Sequence, residues 1–179
     1  MKRIVMLLLS GLFIILAAYS IWQVLGHDSA RLKVSGQPHY VNGRDISGVE
    51  VQTLEGHPQL LKSELTGDIN IINFWASWCE PCNKEMPELV HYNDIKPNHI
   101  KLIGLNVQDD QKNRQAFLKK YDVDYPVVVG SEQLLKQYKI YNIPTTIFVD
   151  KEGRVLTTYM GELNQEKLEK LIEQVEEKL

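Results

Sequence analysis

The chain has 179 residues, 44% of them hydrophobic and 24% charged, with a formal net charge of −3 and two cysteines. That length suits one ordinary domain with an appendage and is too short for two full domains. The composition excludes a collagen-like or disordered chain and a disulfide-dense scaffold, the near-neutral charge argues against a nucleic-acid binder, and two cysteines rule out a four-cysteine zinc site.

Residues 4–25 (IVMLLLSGLFIILAAYSIWQVL) carry no charge. As a helix this stretch spans roughly 33 Å, against about 30 Å of bilayer hydrocarbon. Tyr19 and Trp22 suit a membrane interface, and the stretch is longer than the apolar part of a cleaved signal peptide. The expectation is a retained transmembrane anchor over residues 1–26. Lys2 and Arg3 precede it and favour a cytoplasmic N-terminus with the domain outside, although Arg31 and Lys33 on the far side nearly balance them. Residues 27–47 show no apolar period and are punctuated by Gly36, Pro38, Asn42 and Gly43, which predicts a juxtamembrane linker. A folded domain is expected over residues 48–179.

Within that domain, residues 49–54 (VEVQTL) alternate like a half-buried strand. Ile69–Trp75 is an apolar run of strand length. A helix follows from Glu80 to about Asp94, interrupted by Pro87, and then a buried-type strand over residues 101–107. Residues 111–121 read as helix, residues 126–129 as strand, residues 133–138 as a short helix and residues 145–149 as strand. A turn at residues 150–153 leads into a last strand over residues 155–160. Asn164 caps a final helix whose Leu168, Leu171, Ile172, Val175 and Leu179 share one face. Strands alternating with helices predict an α/β sheet covered on both faces. Asp109 and Asp110, after a strand end, read as a solvated loop or helix-start pair.

Both cysteines stand in Phe74-Trp75-Ala76-Ser77-Trp78-Cys79-Glu80-Pro81-Cys82, at a strand-to-helix junction. A disulfide closing about four residues stabilises by only about 2 kcal/mol, against about 3 for a fifteen-residue loop, so a structural bridge is poorly placed here. The spacing does suit exchange. Cys79 at the helix start feels the positive end of the helix dipole and can attack a partner disulfide as thiolate. Cys82, one turn later, can resolve the mixed disulfide. Pro81 suits a first helical turn. His27, His39, His57, His91 and His99 show no metal-ligand spacing, and Asn83, not His, follows Cys82, so the haem-attachment pattern is absent. No metal site or cofactor is expected.

Three marks carry a family resemblance: the Trp-Ala-Ser-Trp-Cys-Glu-Pro-Cys run, Pro87 five residues after Cys82, and Ile143-Pro144-Thr145-Thr146 before a strand. Residues 48–179 resemble a thioredoxin-fold domain, a central mixed β-sheet flanked by helices. More narrowly, with the anchor and the Glu-Pro dipeptide, the chain resembles membrane-anchored extracytoplasmic thiol–disulfide oxidoreductases of the ResA, StoA and TlpA type. The resemblance implies a cis Pro144 beside Ile143 that faces the dithiol and helps bind substrate. It implies reduction of client disulfides outside the cytoplasm, with apocytochrome c haem-site thiols or spore cortex formation as the setting. The electron donor would be a membrane thiol transporter of the CcdA kind. Thioredoxin itself has a buried aspartate where this chain has Asn73, and Glu85 matches an acidic position of the ResA-like branch that lies under the dithiol. Glu85 is therefore expected to manage a thiol proton; the alternative is a solvent-facing glutamate paired with Lys84 or Lys120.

Glu80 beside Cys79 disfavours the thiolate and predicts a reducing couple, and it is also a candidate client contact. Trp78 is expected over the dithiol as a substrate contact, Trp75 in the core. Two other readings stay open: a thiol oxidase or isomerase of the same fold, and a metal-delivery protein using the thiols as ligands.

Overall fold

The structure is a computed structural model that describes residues 11, 14–16, 19 and 35–179. The anchor expected over residues 1–26 lies outside the described residues except for those five positions. Among the described residues no helix is long and apolar enough to cross a membrane. The chain divides into two units, Met1–Lys33 and Val34–Leu179, and the second contains every element below.

In chain order these are β1 (Glu50–Gln52), β2 (Pro58–Leu60), β3 (Ile69–Trp75), α1 (Glu80–Ile95), β4 (Ile100–Asn106), α2 (Gln111–Tyr121), β5 (Val127–Val129), α3 (Glu132–Tyr138), β6 (Thr145–Asp150), β7 (Val155–Met160) and α4 (Gln165–Glu176). The seven strands form one sheet in the order β2-β1-β5-β4-β3-β6-β7. β3, β4 and β5 run parallel; the remaining pairs are antiparallel. All seven residues of β3 are buried, as a strand covered on both faces requires, and the sequence shows this as a run without polar alternation.

Side chains of β3 alternate between two cores. Ile69, Ile71 and Trp75 pack with Met86 and Leu89 of α1, Phe117 of α2 and Leu168 and Leu171 of α4. Ile72 and Phe74 pack with Leu134 and Leu135 of α3 and with Val41, Ile46 and Leu61. The indole of Trp75 lies against β4 where only a glycine leaves room: a Cβ on Gly104 would sit 3.0 Å from Trp75 Nε1.

Three differences from the sequence expectation have physical causes. The predicted linker is part of the fold from Gln37 onward. Gln37 N–H donates to Thr158 O (2.6 Å), Asp45 bridges Arg154, and Val41 and Ile46 are buried. These partners lie more than a hundred residues away, and no local period reports them. Pro87 does not interrupt α1, which runs unbroken for 16 residues; burial of Cys82, Met86, Leu89 and Tyr92 on one face outweighs the single hydrogen bond that proline removes. The strand expected over residues 49–54 is shorter, because Gly56 N–H donates to Thr53 O and closes a turn. No local pattern marks the returning β2, a three-residue sheet edge that opens on Pro58, a position proline tolerates.

Candidate active site

β3 ends at Trp75, and the next four residues turn the chain into α1. Cys79 occupies the helix N-cap with extended backbone (φ −80°, ψ 111°), and its Sγ accepts the backbone N–H of Cys82 at 3.3 Å. An N-cap acceptor satisfies one of the unpaired amides of a first turn and feels the helix dipole, worth about 0.3–1 kcal/mol to a negative charge there. Pro81 sits in that first turn, where its missing N–H costs nothing. Cys79 and Cys82 are joined in a disulfide. Cys79 is 4% exposed and Cys82 0%, so the small access the pair has is at Cys79.

Beneath the dithiol, one helical turn past Cys82, lies Glu85. It is fully buried, which overturns the solvent-facing alternative. Its carboxylate accepts Asn73 Nδ2–H at 2.8 Å from β3 and Leu163 N–H at 2.9 Å from the loop after β7. Burial dominates these two bonds and pushes the carboxyl up to about 7. Asn73 Nδ2 also donates to Thr146 Oγ1 at 3.0 Å, while its Oδ1 is buried without a hydrogen-bond partner. The amide is thus oriented toward an ionised Glu85. Rotating it would let Oδ1 accept a proton held by neutral Glu85. Tyr125, whose hydroxyl donates to Met86 Sδ at 2.9 Å, is pushed upward by burial and then by the Glu85 charge, so it stays protonated.

Ile143–Pro144 is a cis peptide, as the resemblance implied. Thr145 pairs with Phe74 across the β3–β6 ladder, which brings Pro144 to the end of the sheet where β3 enters the dithiol loop. Gly161 N–H donates to Pro144 O at 2.9 Å and extends that pairing to the loop carrying Leu163.

Glu80 points into water and pairs with Lys84 at 3.0 Å. The ammonium compensates its charge, so Glu80 acts more weakly on Cys79 than adjacency in sequence suggested. Trp78 is 62% exposed, with its indole N–H donating to Gln108 O at 2.8 Å. Beside it an open groove of about 370 Å³ runs between the dithiol loop and α2, lined by Ser77, Trp78, Asn83, Phe117 and Lys120.

Residues 43–158, which include both cysteines, match the AhpC/TSA family. The chain belongs to the AhpC/TSA family. It is 31% identical over 135 residues to the thiol-disulfide oxidoreductase ResA of Bacillus thuringiensis subsp. konkukian, covering 74% of this chain and 78% of that protein. It is 31% identical over 129 residues to the sporulation thiol-disulfide oxidoreductase A of Bacillus subtilis, covering 69% and 77%. The crystal structure of StoA from Bacillus subtilis superposes with a TM-score of 0.56 at 30% identity, over 66% of this chain and 91% of that one. With a Cys-x-x-Cys pair in place at the head of α1, the protein is a thiol–disulfide oxidoreductase of thioredoxin fold.

Within this AhpC/TSA domain, sequence reasoning missed two groups. Asn83 Nδ2 donates to Ser77 O at 3.1 Å and Cys79 O at 2.9 Å, pinning the loop from the helix side. Asp109, read from sequence as a solvated loop residue, instead accepts bonds from Ser77, whereas Asp110 does start α2 as its N-cap. A short polar residue just after the second cysteine, and one at the end of the strand beside β3, were the only signals available.

Proposed function

We propose that the protein is a thiol–disulfide reductase working outside the cytoplasm, held to the membrane by the apolar segment within residues 1–26. The observation that carries the exchange chemistry is the asymmetry of the pair: Cys79 caps α1 and keeps 4% exposure, while Cys82 is fully buried. Cys79 thiolate attacks one sulfur of a client disulfide. The new S–S bond forms as the client's own breaks, and the departing client thiolate takes a proton. Cys82 then loses its proton, with Glu85 as acceptor, and its sulfur attacks Cys79. The client leaves with its second thiol, and the protein is left as the disulfide. Two electrons have passed from dithiol to client, and a membrane thiol transporter of the CcdA kind supplies two more to reduce the Cys79–Cys82 disulfide again. Ile143, Pro144, Trp78, Glu80 and Pro81 are the proposed client contacts.

The buried carboxyl supports reduction as the working direction. A negative charge one turn below Cys82 disfavours thiolates and so destabilises the dithiol relative to the disulfide. Among the described residues of the first segment, Ile14, Ile15, Leu16 and Tyr19 are helical and more than half exposed, which suits contact with lipid. Apocytochrome c haem-site thiols and a spore-cortex protein are the client classes proposed.

Client capture tests this. Cys82→Ala should retain clients on Cys79 as mixed disulfides that dithiothreitol releases. Capture by Cys79→Ala in its place would reverse the two roles.

A further inference from the structure

The loop that carries the dithiol is fixed by a carboxylate more than thirty residues along the chain. Asp109 follows β4. Its Oδ2 accepts Ser77 N–H at 2.7 Å and Asn106 Nδ2–H at 3.0 Å, and its Oδ1 accepts Ser77 Oγ–H at 2.7 Å. Asn106 is buried and in turn accepts Arg114 Nη1–H at 3.3 Å, a guanidinium itself buried in α2. One residue before Asp109, Gln108 adopts the left-handed region (φ 50°), and its carbonyl takes the Trp78 indole N–H. That conformation is uncommon for a residue with a side chain and persists where its surroundings impose it. Ser77 N–H, Oγ and carbonyl oxygen are all engaged, by Asp109 on one side and Asn83 on the other.

We infer that Asp109 is a positioning residue for client recognition: by clamping Ser77 it sets the loop that presents Trp78 beside Cys79. Charge-assisted bonds to a backbone N–H and a hydroxyl are among the stronger contacts a surface loop makes. Cys79 does not depend on this clamp, because the Cys82 N–H and Asn83 hold it from α1. Loss of Asp109 therefore loosens Ser77, left with its Asn83 bond, and with it the seat of Trp78, while leaving the attacking sulfur capped. The consequence is selective. A small disulfide needs only Cys79 and is reduced at nearly the normal rate. A protein disulfide must also meet Trp78, and it is reduced more slowly. The inference rests on the proposal that Trp78 contacts clients.

The test compares the full-length chain with Asp109→Ala, Asp109→Asn, Trp78→Ala and Asp110→Ala, the last removing only the cap of α2. Insulin and oxidised glutathione serve as protein and small disulfides, and the Trp78 indole N–H exchange rate is followed by NMR. Asp109→Ala should lower kcat/KM for insulin about tenfold, leave oxidised glutathione within about threefold, and speed exchange of the Trp78 N–H. Asp109→Asn, which keeps an acceptor, should recover most of the loss, and Asp110→Ala should show none. Wild-type insulin kinetics in folded Asp109→Ala would overturn the inference, as would equal losses on both substrates. If Asp109→Ala does not fold, Ser77→Ala carries the same comparison with a smaller expected split, and no split overturns the inference. If Trp78→Ala itself leaves insulin reduction unchanged, the assignment of Trp78 as a client contact has failed, whatever Asp109 does.

Discussion

Glu85→Gln should make the oxidised protein more stable at pH 8, leave it unchanged near pH 4.5, and slow disulfide exchange. Burial holds the Glu85 carboxyl at about 7 in the fold, against an ordinary value of 4.5. Below 4.5 both folded and unfolded chains carry the proton, and Glu85 adds no pH dependence. Between 4.5 and 7 the unfolded chain releases its proton while the fold keeps it, so stability falls as pH rises. Above 7 the whole penalty is present, about 3 kcal/mol at 1.36 kcal/mol per unit. Glutamine cannot ionise and escapes this penalty. It still accepts Leu163 N–H, and its amide N–H₂ can donate to Asn73 Oδ1 once the Asn73 amide rotates, so the bond between the two side chains is kept. Urea unfolding at pH 5 and pH 8 measures the difference; parallel profiles for the two proteins would mean that Glu85 does not hold the raised value. The same change removes the group proposed to take the Cys82 proton. Exchange at pH 7 should fall about a hundredfold, within the range of general acid–base effects. An unchanged rate would leave Glu85 with a structural role alone.

Cys79→Ala should abolish turnover, by roughly a thousandfold or more, because nothing else at the head of α1 can form the mixed disulfide. Cys82→Ala should behave differently. Its first attack proceeds at a rate near that of the wild type, and its turnover stops because the mixed disulfide on Cys79 is not resolved. The contrast follows from exposure, since Cys82 is sealed under the loop that Asn83 and Asp109 pin. Stopped-flow reduction of a chromogenic disulfide separates the two: one equivalent released by Cys82→Ala and none by Cys79→Ala. A burst from Cys79→Ala would contradict the assignment.

The parts of the fold that local chemistry determines were readable before any coordinates. β3 spans the predicted residues 69–75 and α2 the predicted 111–121, because a continuous apolar run and a capped amphipathic stretch are self-contained signals. Asn164 caps α4 as expected, accepting Lys167 N–H at 3.0 Å, but the helix stops at Glu176 and leaves Leu179 exposed beyond its buried face. The dithiol was readable too, since both cysteines fall in one short motif. What escaped depends on partners distant in sequence. The burial of Glu85 is set by Leu163, 78 residues on, and the clamp on Ser77 by Asp109, 32 residues on. Glu80 and Glu85 look alike in sequence. One faces Lys84 in water and the other lies between β3 and the loop after β7; a difference of five positions along α1 changes the face each presents.

The Cys79–Cys82 couple is proposed to be a reductant tuned by a buried carboxyl. Equilibrating the protein in graded glutathione buffers at pH 7 and counting free thiols measures its potential directly. The expected value lies near that of thioredoxin, about −270 mV, whereas a value near the oxidant DsbA, about −120 mV, would contradict the account.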